Sequence, residues 1–267
     1  MVKSSRFRFF SLAAWNWRLY RRGAAVLLGA ATLLEAGLLF GCAGNLNFAA
    51  TSYDALLSTS GAGVVFAIVL GATLVVAQAP LLAASSGKTR AAYTILTFRL
   101  PRWQILAGQT LATAFGMLLA LAWQAAVWLG LFWPVAAVQD AVAGRYFGFT
   151  VPAAGRLWWA FATSPWFALV LPRTPEGCGL WAGCLAAVSL LAAAVGVHRG
   201  WRRLLAFCMA AVGSGCCVLV AGVQFGSEGF GPLFWVRAGA PLTVLAVLAV
   251  LAVPGALLAL HRAEMAK

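Results

Sequence analysis

The sequence predicts an all-α membrane protein, a polytopic helical bundle with six transmembrane helices and an N-terminal amphipathic interfacial helix. Of its 267 residues 63% are hydrophobic and 9% are charged, and the mean hydropathy is +0.91. Soluble domains are about 45–50% apolar and about 25% charged. Six segments are apolar over roughly the 20 residues that a membrane span needs. The positive charge lies between these segments, so the whole chain, residues 1–267, is predicted to form a single transmembrane domain.

The first 22 residues form a basic lead-in with six Lys and Arg residues and no acid. Phe10, Ala14 and Trp17 recur on one face of a helix, whereas Arg8 and Arg18 fall on the other. Aromatic anchors opposite basic side chains indicate a helix that lies along the inner leaflet. A disordered basic tail is the alternative, which the aromatic spacing disfavours.

The six predicted spans follow the lead-in and are separated by polar or basic connections. A cleaved secretory signal competes for the first segment, because Leu39 to Cys42 resemble a lipobox. The long basic lead-in, the acid Glu35 inside the segment and the later spans argue against cleavage. The spans are expected at residues 23–43, 61–84, 103–133, 178–197, 204–226 and 238–260.

Residues 134–177 are predicted to form an outer segment without a span of their own. They contain five of the ten prolines in the chain. Their strongly apolar part, Leu157–Leu171, is short and carries three tryptophans, which favours an interfacial or re-entrant helix. A seventh span there would move the basic turn His198–Arg203 to the outer side.

The distribution of charge predicts the orientation. Fifteen of the 19 Lys and Arg residues fall in the lead-in, in the segment after the second span, in the turn at His198–Arg203 and in the C-terminal tail. The positive-inside rule places these four regions and both termini in the cytoplasm. The net charge of +13 does not indicate a nucleic-acid partner, because the chain offers no soluble face to carry a basic patch.

The segment Ser85–Arg102 carries four of these basic residues and no acid. Arg90, Thr94 and Thr97 recur at helical spacing beside an apolar stripe, a pattern typical of a short amphipathic helix that docks a partner protein. An ordinary positively charged turn fits the pattern equally well.

Catalytic and metal-binding motifs are not evident. Gly87-Lys88-Thr89 resembles the end of a phosphate-binding loop, but Leu82 stands where that loop needs its first glycine. His198 and His261 have no Cys or carboxylate at metal-binding spacing, and the six cysteines show no metal-binding pattern. A disulfide between Cys42 and Cys178 is left open.

Polar residues inside the predicted spans are the candidates for a substrate pathway: Glu35, Gln78, Gln109 and Gln124. Ionisable residues in membrane helices usually face the interior of the bundle and often mark function. Hydrogen bonds that hold helices together explain the same residues. The two interpretations remain open for each of them.

The layout resembles the membrane subunit of an ABC transporter of the type-2 exporter permease family. A Leu-Pro-basic turn at Leu100–Arg102 leads into Ile105-Leu106-Ala107-Gly108-Gln109, which is similar to the entry of the third span in that family. Gln109 stands where a lysine is common, and the outer segment 134–177 is longer than in the smallest members. In related sterol and lipid exporters, short outer helices follow the fifth span instead of the third.

The resemblance implies a permease in a bacterial-type plasma (inner) membrane, paired with a second permease chain and with two ABC ATPase subunits. ATP and Mg²⁺ would be bound by those subunits, and this chain would carry no cofactor and no catalytic site. The other implied contact is membrane lipid. The helix that couples to the ATPase would comprise Thr89, Arg90, Tyr93, Thr94, Thr97 and Arg99.

The expected function is export of a hydrophobic or amphipathic molecule such as a peptide, lipid or drug. A non-transporting membrane anchor or regulatory subunit is the first alternative, and a membrane enzyme with an unrecognised site is the second. Recovery of an ATPase subunit with the chain distinguishes export from both.

Overall fold

The computed structural model describes residues 5–85, 101–148, 153–172, 174–198, 200–225 and 232–265. In these ranges the backbone forms α-helices and one short 3-10 helix, Leu46–Phe48, and contains no strand, which confirms the all-α prediction. The helices are α1 (Ser5–Ala43), α2 (Tyr53–Thr59), α3 (Ala62–Ser85), α4 (Arg102–Phe147), α5 (Ala153–Thr163), α6 (Pro165–Val170), α7 (Pro175–Val197), α8 (Trp201–Phe225) and α9 (Pro232–Met265).

Six helices of the described part of the chain, α1, α3, α4, α7, α8 and α9, are long and apolar enough to cross a membrane. Each of them matches one of the six predicted spans, and only Gly61 and Gly226 of those spans fall outside the ranges given for the helices. The chain is therefore a multi-pass membrane protein.

Helix α1 differs from its prediction because the lead-in and the first span form one continuous helix from Ser5 to Ala43. The expected division near Gly23 does not occur, since arginine is a good helix former and a single glycine costs only about 1 kcal/mol. Gly23 also packs closely, because a Cβ atom there would lie 3.2 Å from Val76 Cγ1. Its 39 residues make α1 about 59 Å long.

Helix α4 also exceeds its prediction, since it continues through Pro134 to Phe147 although the third span was expected to end at Trp133. A proline inside a helix removes one backbone hydrogen bond, and membrane helices tolerate this loss when neighbouring groups satisfy the freed carbonyl. With 46 residues α4 is about 69 Å long, more than twice the ~30 Å hydrocarbon thickness. Part of it therefore lies outside the hydrocarbon at any ordinary tilt.

The chain divides into two compact units, and the second unit comprises Ala25–Ala72 and Leu118–Thr174. Its core surrounds Trp128 of α4, whose ring makes edge contacts with Phe66 and Phe167 at centroid distances of 5.4 and 5.8 Å. Leu56 and Leu57 of α2 are fully buried in the same core. The connection between the first two predicted spans is thus a folded part of this unit, and not the polar loop expected from its composition.

Residues 134–174 contribute the end of α4 and two short helices to the second unit. Helices α5 and α6 have 11 and 6 residues, fewer than the roughly 20 that a span needs. Pro165 begins α6 directly after buried Ser164, which separates the two helices. Trp158 and Trp159 of α5 are exposed.

The first unit comprises Met1–Ala24, Thr73–Met117 and Pro175–Lys267. Its helices α7, α8 and α9 pack against one another. Gly213 of α8 permits the close approach, because a Cβ atom there would lie 2.5 Å from a methyl group of Leu191 and 3.3 Å from one of Leu245.

Replacing Gly63 by alanine is expected to destabilise the second unit, because the added Cβ would lie 2.3 Å from the ring of Trp166. Overpacking of this kind costs about 1–3 kcal/mol. Gly71 on the same helix is the matched control, since nothing lies within 4 Å of the position that its added methyl group would take. Thermal unfolding in detergent, followed by size-exclusion fluorescence, should show a lower midpoint for Gly63→Ala and no loss for Gly71→Ala. Equal midpoints for the two variants would contradict the packing described here.

Candidate functional site

The Glu35 cluster, defined here as Glu35, Gln124 and Trp128, lies inside the second unit. Glu35 of α1 is fully buried. Gln124 Nε2 and Trp128 Nε1 of α4 both donate hydrogen bonds to its Oε2 atom, at 2.5 and 3.1 Å. Gln124 and Trp128 are four residues apart, so one face of α4 presents both donors.

The other carboxylate oxygen of Glu35, Oε1, is buried and has no hydrogen-bond donor among the described residues. A buried carboxylate oxygen without a donor is costly, and it can be satisfied by a proton, a cation or an N–H or O–H group of a bound molecule. The two hydrogen bonds to Oε2 link α1 to α4, whereas Oε1 remains available to a further partner.

The surroundings of the cluster fix Trp128 in place and exclude water from its ring. Tyr53 of α2 donates a hydrogen bond from its hydroxyl to the carbonyl oxygen of Trp128 at 2.8 Å. Burial raises the pKa of Tyr53, so its hydroxyl keeps the proton that it donates. A further contact joins the same two long helices, since Trp123 Nε1 donates to Thr32 Oγ1 at 3.0 Å.

The glutamine cluster, defined here as Gln78, Gln109 and Thr113, lies inside the first unit. Gln78 Nε2 donates to Thr113 Oγ1 at 2.9 Å, and Gln109 Nε2 donates to Gln78 Oε1 at 3.0 Å and to the carbonyl oxygen of Ala77 at 2.9 Å. The Thr113 hydroxyl in turn donates to the carbonyl oxygen of Gln109 at 2.9 Å. These hydrogen bonds form a closed chain between α3 and α4, which is the pattern expected of polar residues that hold membrane helices together.

The structure therefore brings the four predicted pathway residues together in pairs: Glu35 with Gln124, and Gln78 with Gln109. Sequence reasoning missed Trp128 and Thr113, which complete the two clusters. The signal was available, because each follows a predicted glutamine by four residues and shares its helix face. The residues predicted to couple to an ATPase lie outside the described residues: Thr89, Arg90, Tyr93, Thr94, Thr97 and Arg99.

Among the other reactive side chains of the described residues, those of Cys184 and Cys217 lie within hydrogen-bonding distance of each other. The structure records no disulfide among the six cysteines, all of which lie in the part of the chain that it describes. No group of three or more His, Cys, Asp and Glu side chains among the described residues could hold a metal ion. Asp140 of α4 instead forms an ion pair with Arg156 of α5 at 2.6 Å, which connects these two helices of the second unit.

Comparison with protein-family models, with curated proteins and with solved structures gives no match. The two clusters are therefore interpreted from the chemistry of the chain itself.

Substitutions of Glu35 should separate its structural role from its charge. Glu35→Ala removes the acceptor of two buried donors, which should lower stability by about 1–3 kcal/mol for each donor left unsatisfied. Glu35→Gln keeps an acceptor for Gln124 and Trp128 and should remain within about 1 kcal/mol of the native protein. Denaturant unfolding in detergent, followed by circular dichroism, measures both. Equal losses for the two variants would show that the hydrogen bonds to Oε2 do not stabilise the fold.

Proposed function

We propose that the chain is the permease subunit of an ATP-driven ABC exporter for a hydrophobic or amphipathic substrate such as a peptide, lipid or drug. The observation that carries this proposal is the buried Glu35 carboxylate with its open Oε1 atom. Acids inside membrane spans are costly and often mark substrate, ion or proton pathways. The resemblance of residues 100–109 to the type-2 exporter permeases supports the same function.

The energy source would be a separate ATPase. The sequence contains no complete phosphate-binding loop, so ATP and Mg²⁺ would be held by ABC ATPase subunits on the cytoplasmic side. The proposal places both termini and the basic segment Ser85–Arg102 on that side of a bacterial-type plasma membrane, because the positive-inside rule favours it. A second permease chain would complete the assembly.

The proposed mechanism uses the continuity of α4. This helix begins at Arg102, directly after the proposed coupling residues, and it carries Gln124 and Trp128. Closure of the ATPase subunits would move the coupling segment and with it α4, which changes the hydrogen bonds at Glu35. A substrate with an N–H, O–H or cationic group could then be held by Oε1 in one state and released in the other.

A second candidate function is favoured by the glutamine cluster. Gln78, Gln109 and Thr113 bond to one another and to backbone carbonyls, so these residues need no substrate to explain them. A membrane anchor or regulatory subunit would require such a cluster for stability alone.

Reversing the charge of the proposed coupling segment should release the ATPase. Arg90→Glu combined with Arg99→Glu replaces two cations of the proposed coupling segment by acids. We expect the amount of ATPase recovered with the purified chain to fall at least about tenfold, because one or two charge-assisted contacts are lost. The measurement is ATP hydrolysis co-purified from native membranes in mild detergent.

The control for that experiment is Arg145→Glu combined with Arg237→Glu, which makes the same change of charge near the end of α4 and the start of α9, on the side predicted to face outward, and should retain the ATPase. Recovery of equal ATPase activity with the Arg90 and Arg99 variant would contradict the coupling assignment. Absence of any ATPase with the native chain would favour the anchor.

A further inference from the structure

A pocket of about 340 Å³ lies in the first unit, where α7, α8 and α9 meet. Its volume falls within the range of roughly 300–1,000 Å³ that is usual for small-molecule sites. The walls are apolar and include Leu205, Met209 and Leu251. Three polar or amphipathic side chains stand at one end: His198, Trp201 and Arg202.

This end of the pocket lies where the candidate spans end. The α7 span ends at Val197, the α8 span begins at Trp201, and the α9 span ends at His261. Trp201 is 71% exposed, and tryptophan is enriched where hydrocarbon meets the lipid headgroups. The polar end of the pocket therefore lies at headgroup level, with the apolar walls extending toward the hydrocarbon.

The apolar walls are open to the surroundings of the helices. The side chains of Leu205, Leu251 and Leu258 are 53%, 58% and 54% exposed. A pocket with exposed leucine walls beside three membrane-spanning helices admits an acyl chain laterally from the bilayer.

The polar end carries positive charge and hydrogen-bond donors. The lining contains no acidic residue among those described, and the Arg202 guanidinium lies 5.6 Å from the centroid of the Trp201 ring. His198 Nδ1 is buried and has no hydrogen-bond partner in the described ranges. Burial and the adjacent charge of Arg202 lower the pKa of His198, so its ring is neutral at neutral pH and can donate one N–H group.

We propose that this pocket binds an anionic phospholipid, with the phosphate at Arg202 and His198 and an acyl chain along Leu205 and Leu251. Charge complementarity selects the headgroup, because a cation and a neutral donor, with no acid among the described lining residues, favour a headgroup whose phosphate is not offset by a cation of its own. This site is independent of the proposed transport function, since neither cluster of buried polar residues contributes to it.

Lipid titration of the purified full-length chain, followed by native mass spectrometry, tests the proposal. Dioleoyl phosphatidylglycerol and dioleoyl phosphatidylcholine have the same acyl chains and differ in net charge. We expect phosphatidylglycerol to bind about tenfold more tightly, because phosphatidylcholine has the same phosphate but would bring its choline cation close to Arg202. Arg202→Gln should abolish this preference, and Arg202→Lys should retain most of it.

Two further variants complete the test. Arg237→Gln removes the same charge from α9 about 27 Å along the helix from Gly255 and should leave the preference unchanged. Gly255→Leu should reduce binding of phosphatidylglycerol, because a Cβ atom at this position already lies 3.6 Å from His198 Nε2 and a larger side chain fills the pocket. Unfolding midpoints establish that each variant is folded.

Equal affinity for the two lipids, or a preference that Arg202→Gln leaves intact, would overturn the proposal. A dimer that excludes lipid and that Gly255→Leu dissociates would overturn it too, since a second copy of the chain would then occupy the pocket.

Discussion

A carboxylate inside a membrane span must find its hydrogen-bond donors within the protein, because hydrocarbon supplies none. Glu35 meets this constraint on one oxygen through Gln124 and Trp128. The two donors lie on α4, so the need to enclose Glu35 fixes the register of α1 against α4 in the second unit. Tyr53 then fixes α2 on the same turn of α4 through the carbonyl of Trp128.

Close packing maintains these hydrogen bonds. Glycines remove side-chain volume where a bulky ring must approach a helix: Gly63 accommodates Trp166 in the second unit, and Gly116 accommodates Tyr20 in the first. The Tyr20 hydroxyl there donates to the carbonyl oxygen of Ala112. Membrane helices depend on such contacts because association brings no hydrophobic gain within lipid.

Hydropathy was sufficient to predict the six spans and the all-α fold, since a span must be apolar along its full length. The pairing of Glu35 with Gln124 could not be read from the sequence, because 89 residues separate them and no local period connects distant helices. Helix α2 was not predicted, because it is short and its buried face consists of only three residues, Tyr53, Leu56 and Leu57. Pro134 indicated an end to α4 that the structure does not have, because one lost backbone bond does not outweigh the rest of a long helix.

The two clusters differ in how completely their members satisfy one another's hydrogen-bonding groups. The glutamine cluster is closed by its own members, so its chemistry is complete without a ligand. In the Glu35 cluster, the buried Oε1 atom is an acceptor without a donor among the described residues. This difference is the basis of the transport role proposed for Glu35.

The most direct test of the transport role proposed for Glu35 is ATP-driven uptake of a hydrophobic dye into inside-out membrane vesicles. Uptake is compared between the native chain and Glu35→Gln. The substitution preserves an acceptor for Gln124 and Trp128 and replaces the open acceptor by an amide donor. We expect the folded protein in unchanged amount, ATPase recovery as in the native chain, and uptake reduced about tenfold, the effect of losing one hydrogen bond to a charged group. Glu176→Gln, an exposed acid at the start of α7, should transport normally. Uptake by Glu35→Gln equal to that of the native chain would contradict the claim and leave Glu35 as a helix-packing residue.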